Sequence, residues 1–208
     1  ILTFVFVSLY LVSDSFLPAD IAALADKDPV KERALADLSS GYGLISTLAG
    51  ILILLVAPVL GQLADRAGRK KRWLLVTTVL LALIQFSLFF VFADPMYFWY
   101  GAIMVSIGAV VSEIAGVNYN ALLVSVSTPR TVGRVSGLGW GLGYIGGILA
   151  LILIAVSDQA FGWYGIPSDN GLIYRIIAVG CAVWTIVFSL PIFLNVPEVP
   201  PTVKRESV

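Results

Sequence analysis

Apolar residues come in long unbroken runs along this chain, and runs such as Ile51–Val56 and Leu80–Leu83 show no alternation with polar positions. Six stretches reach or approach membrane-crossing length: Ile1–Leu17, Ser40–Leu60, Trp73–Ala93, Met96–Val124, Val135–Val156 and Leu172–Leu194. About 20 mostly apolar residues span the hydrocarbon of a bilayer as a helix. Only helices and closed barrels satisfy every backbone group in lipid, and a barrel would show roughly ten-residue alternating segments. The pattern predicts an all-α membrane protein, a bundle of six transmembrane helices over residues 1–194 whose first helix is truncated. Residues 195–208 carry Pro197, Pro200 and Pro201 and read as a polar cytoplasmic tail or linker.

The polar segments between the runs are mostly short. Ala93-Asp94-Pro95 reads as a tight turn, and Asp158–Asn170 contains the turn residues Gly162, Gly165 and Pro167. The first connection, Pro18–Ser39, is longer and acidic, and Lys31–Leu38 within it suits a short surface helix. Basic residues divide unequally between the two sets of loops. One set holds Arg66, Arg69, Lys70, Lys71, Arg72, Arg130, Arg134, Lys204 and Arg205; the other holds Lys27, Lys31, Arg33 and Arg175. Nine against four places the first set in the cytoplasm. Trp and Tyr near span ends, including Tyr97, Trp99, Tyr100, Trp163 and Tyr164, read as interfacial anchors.

Composition narrows the classes. Hydrophobic residues make up 59% of the 208, charged residues 12%, and mean hydropathy is +0.95. A soluble domain of this size could not bury so much apolar surface, which excludes a soluble enzyme, a disordered chain and a nucleic-acid binder. The absence of histidine removes His-based metal sites, Ser-His triads and His proton relays. Cys181 is the only cysteine, so no intrachain disulfide forms. No phosphate-cradling G-x-x-x-x-G-K-[ST] loop is present, so ATP is not the direct energy source on this chain. No metal and no cofactor is expected.

Between the second and third runs the chain reads Gly61-Gln62-Leu63-Ala64-Asp65-Arg66-Ala67-Gly68-Arg69-Lys70-Lys71-Arg72-Trp73-Leu74. Gly61 and Gly68 permit a tight reversal between antiparallel helices. The basic run fixes topology at the anionic cytoplasmic surface. This loop resembles the signature loop of the major facilitator superfamily, with Trp73 where a smaller aliphatic residue is usual. The resemblance implies a cytoplasmic gate built from Gly61, Asp65, Arg66, Gly68 and Arg69. A second stretch, Asn118-Tyr119-Asn120-Ala121-Leu122-Leu123 with Ser127–Tyr144, is similar to the vacuole-effluxer-like branch, which includes the autophagy-related amino-acid effluxer. The resemblance implies the N-terminal six-helix half of a carrier whose second half is absent here.

Ionisable groups inside spans are costly and usually serve a cavity. Asp14 and Glu113 qualify. Glu113, Gly116, Val117 and Asn120 share a helix face, while Asn118 points elsewhere. The superfamily lines its cavity with spans one and four, so the resemblance turns Asp14, Glu113 and Asn120 toward the solute path. Glu113 is expected to bind a proton or a cationic group, with Asp14 as a second anchor, unless Asp14 is solvated at the outer surface or Glu113 pairs with an arginine. Asn118 and Gln85 complete the candidate pathway set, although Gln85 also suits an interhelical hydrogen bond. Gly139, Gly143, Gly146, Gly147 and Ala150 form one side of the fifth span, a face for close helix packing.

These features predict a multi-pass secondary transporter in the cell membrane (the vacuolar membrane in a eukaryote). It would move a small solute such as an amino acid by alternating access, coupled to protons. Its expected partners are the solute, the bilayer and the second half of the same parent chain, with no nucleic acid. The competing classes are a non-transporting half-carrier module, a six-span homodimer and a membrane-embedded enzyme. The last lacks paired catalytic carboxylates or a nucleophile motif.

Overall fold

Five of the six predicted apolar runs form long α-helices among the described residues. The computed structural model describes residues 4–67, 70–123, 126–161 and 169–196. The elements are α1 (Ala19–Ala22), α2 (Pro29–Ala67), α3 (Lys70–Ser87), α4 (Phe98–Leu123), α5 (Val132–Phe161) and α6 (Leu172–Asn195). No strand occurs among the described residues. The all-α membrane architecture expected from the pattern is present.

The predicted first span is different. Phe4–Leu11 is a wide, eight-residue π-helical segment, closed by Val12 N–H donating to the Val7 carbonyl at 3.0 Å. Ser13 is extended and ends it, and Asp14–Phe16 follows as one tight turn. These eight described residues belong to the first helix, which the pattern reads as truncated. Among the described residues five helices, α2 to α6, are long and apolar enough to do so.

The separate surface helix expected over Lys31–Leu38 is also absent. It joins the second span in a single 39-residue helix, α2. Ser39 and Ser40 could have capped a new helix start, but their hydroxyls donate to the Leu35 and Asp37 carbonyls of the preceding turn (3.0 and 2.9 Å). Serines that bond back in this way sit inside a helix and do not open one. At 1.5 Å per residue α2 is about 58 Å long, roughly twice the hydrocarbon thickness.

The turn at Asp94 forms as the sequence predicts. Its carboxylate accepts from the Met96 N–H at 2.8 Å, and Pro95 occupies the first helical position before α4.

α3 and α4 form the centre: 39% of the apolar stretch of each is buried, against none of the stretches in α2 and α5. α2 and α4 run side by side in the same direction. They approach closely at Gly41, which faces Phe98 and Trp99, and at Gly61, where a Cβ would lie 3.2 Å from Val117. α6 packs antiparallel on α3, and α5 leans chiefly on α4.

The two ends of the bundle are tied differently. At one end Phe6, Tyr10, Leu11, Phe16, Leu88, Val91 and Phe98 make the buried core. Tyr10 donates its hydroxyl to the Val91 carbonyl at 2.9 Å and stacks on Tyr174 at 4.8 Å. Gly171 adopts a left-handed conformation (φ 63°), and a Cβ there would collide with Cε2, Cζ and the hydroxyl of Tyr10. Arg175, expected as an external loop charge, is instead buried in α6. Its Nε donates to the Phe89 carbonyl, and its guanidinium lies 4.0 and 4.5 Å from the Phe92 and Phe89 ring centroids. At the other end Lys71 Nζ donates to the Val196 carbonyl at 2.6 Å, binding the start of α3 to the close of α6.

Candidate functional site

α4 crosses the bundle with two different faces. One is buried and carries Gly108, Val111, Ile114, Asn118 and Leu122, with Gly108 set against Leu81 and Ile84 of α3. The opposite face carries Glu113 and Asn120, both exposed. Glu113 makes no ion pair or hydrogen bond with the described residues. Seven residues separate Glu113 from Asn120, so they lie on one side of α4, about 10 Å apart along its axis.

Asn120 lines a groove of about 460 Å³ between α4 and α5. α4 contributes Gly116, Tyr119, Asn120 and Leu123; α5 contributes Ser136, Gly139, Trp140, Gly143 and Tyr144. The Trp140 and Tyr144 rings lie one helical turn apart, their centroids 6.0 Å apart and their planes tilted by 32°. The Tyr119 hydroxyl would lie 3.3 Å from a Cβ at Gly139, so that glycine lets the two helices meet. A Cβ at Gly143 or Gly146 would meet nothing within 4 Å. Of the predicted packing face, Gly139 meets a neighbour in this way, Gly143 lines the groove, and Gly147 lies in the same helix.

The other predicted pathway residues are not in this groove. Asn118 is 2% exposed, and its amide donates to the Ile114 carbonyl at 2.9 Å while its Oδ1 has no partner. Gln85 is buried in α3 with its Oε1 also unpartnered. Asp14 stands at the far end of the bundle, 2.7 Å from Lys31 Nζ. Lys31 also holds Asp26 at 3.0 Å and donates to the Leu24 carbonyl, so Asp14 serves as one arm of a clamp that folds the first connection onto α2. α2 continues helically through Asp65 and Arg66, whose side chains lie outside the described residues, as do Gly68 and Arg69.

The sequence pattern did not single out Tyr119, Ser136, Trp140 or Tyr144 as site residues, nor Lys71 as a helix cap. The available signal was the i, i+4 pair Trp140 and Tyr144, each preceded by a glycine of the small-residue face. Tyr119, between two asparagines, sits where α4 nears its end.

The profile of the Major Facilitator Superfamily matches residues 3–207. The chain belongs to this superfamily. An uncharacterised MFS-type transporter of Bacillus subtilis, YxiO, is 26% identical over 175 residues, covering 77% of this chain and 37% of that protein. An uncharacterised protein of Aquifex aeolicus is 31% identical over 170 residues, covering 81% of this chain and 39% of its own length. The chain thus spans under two fifths of the curated relatives it matches. No solved structure matches it. Family membership and five membrane-length apolar helices together make this a multi-pass membrane protein.

Proposed function

We propose that this superfamily member forms one half of a secondary active transporter that moves a small solute by alternating access. The observation that carries the reading is Glu113. A carboxylate on an otherwise apolar helix, with no partner among the described residues, costs about 2.5–3.5 kcal/mol at mid-membrane and is retained where it faces a polar path. Here it stands on the same face as Asn120, above a groove with polar and aromatic walls. In this reading Glu113 takes up a proton or the cationic group of the solute, and Asn120 fixes the solute's polar end. The similarity to the vacuole-effluxer-like branch supports an amino acid as the solute and efflux as the direction. The loop residues Asp65, Arg66 and Arg69 act as the cytoplasmic latch, and a second six-helix bundle of the parent chain supplies the opposite wall.

The test is flux of a solute panel by the full-length protein in proteoliposomes, with and without a pH gradient. Glu113→Gln is expected to abolish gradient-driven flux while leaving the protein monodisperse. Undiminished gradient-driven flux in that variant would remove Glu113 from the mechanism.

A further inference from the structure

The walls of the α4–α5 groove carry information about which solute they suit. Trp140 and Tyr144 are 61% and 68% exposed, so their ring faces are not covered by this chain. Both line the groove, one turn apart on α5. Across from them α4 offers the Tyr119 hydroxyl and the Asn120 amide. None of the lining residues is basic. Arg134, two residues before Ser136, points to the other side of α5. The charged group aligned with the groove on α4 is Glu113, one turn beyond Gly116. On α5 Gly143 and Gly146 leave the space on that side unfilled. The groove therefore presents electron-rich ring faces and no cation among its lining, with the Glu113 carboxylate one helical turn beyond it on α4.

We propose that the groove selects a solute bearing an ammonium nitrogen next to an apolar or aromatic body. The cation lies on the Trp140 and Tyr144 faces within reach of the Glu113 field, and the body fills the glycine-walled slot. An aromatic face attracts a cation electrostatically, most strongly for Trp. An anionic solute finds neutral donors at Tyr119, Asn120 and Ser136 but no cation in the lining, and it meets the like charge of Glu113 and the negative ring faces. The solute class rests on the reading of this groove as the solute site, but its physical basis is the charge and ring arrangement alone.

The test measures binding, separately from transport. The full-length protein in nanodiscs is titrated with radiolabelled benzyltrimethylammonium. The competitors are neopentylbenzene, its uncharged isostere, and the anion phenylacetate. Saturable binding is expected, with both competitors at least about tenfold weaker than the unlabelled cation. Trp140→Leu, Tyr144→Leu and Glu113→Gln should each weaken the cation about tenfold, whereas Trp140→Phe, which keeps a ring face, should stay within about threefold. Equal competition by the isostere overturns the proposal. So does unchanged affinity in Trp140→Leu, the result expected if the rings merely face lipid. If Trp140→Leu fails to fold, Tyr144→Leu and Glu113→Gln decide the matter by the same criteria. Selective cation binding without flux of any solute would overturn the transport reading and leave this one standing. Flux of neutral or anionic solutes without cation binding would do the reverse.

Discussion

Arg175 and Gly171 show how much one end of the bundle depends on single side chains. Arg175 is buried without a carboxylate among its described contacts, and it is held by the Phe89 carbonyl in the tight turn Leu88–Phe90 that follows α3 and by two ring faces. The partial negative charge at a helix C-terminus and the ring quadrupoles share the task of solvating it. Arg175→Met should leave the Phe89 carbonyl without its donor and cost about 1–3 kcal/mol. Arg175→Lys should recover only part, because an ammonium lacks the flat face that stacks between Phe89 and Phe92. Thermal unfolding of the detergent-solubilised protein would rank wild type above Lys above Met, and equal melting of all three would refute the assignment. Gly171→Ala should destabilise as well, since the left-handed backbone disfavours a Cβ and the Tyr10 ring occupies its place. Neither role was legible in the sequence. Arg175 reads there as a charge near a loop, and its depth is set by Phe89 and Phe92, more than 80 positions away.

Among the elements α2 departs furthest from its sequence reading. The sequence located its apolar core correctly, at Ser40–Leu60, because that signal is local and long. It put a boundary at Ser39-Ser40 because the chain passes there from a polar connection to an apolar run, and local sequence does not reveal which way the serine hydroxyls turn. In the structure they bond backward, and α2 runs on into its acidic first turns. A continuous α2 sets a distance. Nitroxide labels at Arg33 and Leu52 in a Cys181→Ser background are 19 residues apart, and their backbone positions should be separated by about 29 Å along one straight axis. Ser40→Pro removes an internal N–H and clashes with the preceding turn, at a cost of about 3 kcal/mol or more. Pulsed electron resonance should show one narrow distance in the parent and a shorter, broader one in the proline variant. A broad distribution in the parent would mean two helices and a joint. At the first span the sequence reading set the end later than the structure does. Ile1–Leu17 is apolar enough, but Ser13 and the Asp14 carboxylate, drawn to Lys31, end the helical segment at Leu11.

For the whole molecule, the two ends differ in what their charges are free to do, and this sharpens the argument from topology. Counted from sequence, the poorer side had four basic residues. In the structure Lys31 is bound to Asp14 and Asp26, and Arg175 is enclosed by Phe89 and Phe92. Only Lys27 and Arg33 of the four remain exposed. The bias that orients spans acts through charges that would have to cross the bilayer during insertion. Once the chain folds, two of the opposing four are neutralised or enclosed, so the folded protein presents two cations at that end against a sequence count of nine for the other set of loops. The orientation should be uniform because nine basic residues oppose four at insertion. Single cysteines at Asp94 and at Arg130, in a Cys181→Ser background, lie in the turns before α4 and α5 respectively. A membrane-impermeant maleimide applied to intact cells should label the cysteine at 94 and spare the one at 130. After lysis both should react. Labelling of both positions in intact cells would indicate mixed orientation, and labelling of 130 alone would invert the bundle. Inversion would place Lys71 and its α6 contact outside and overturn the assignment of the Gly61–Leu74 loop to a cytoplasmic latch.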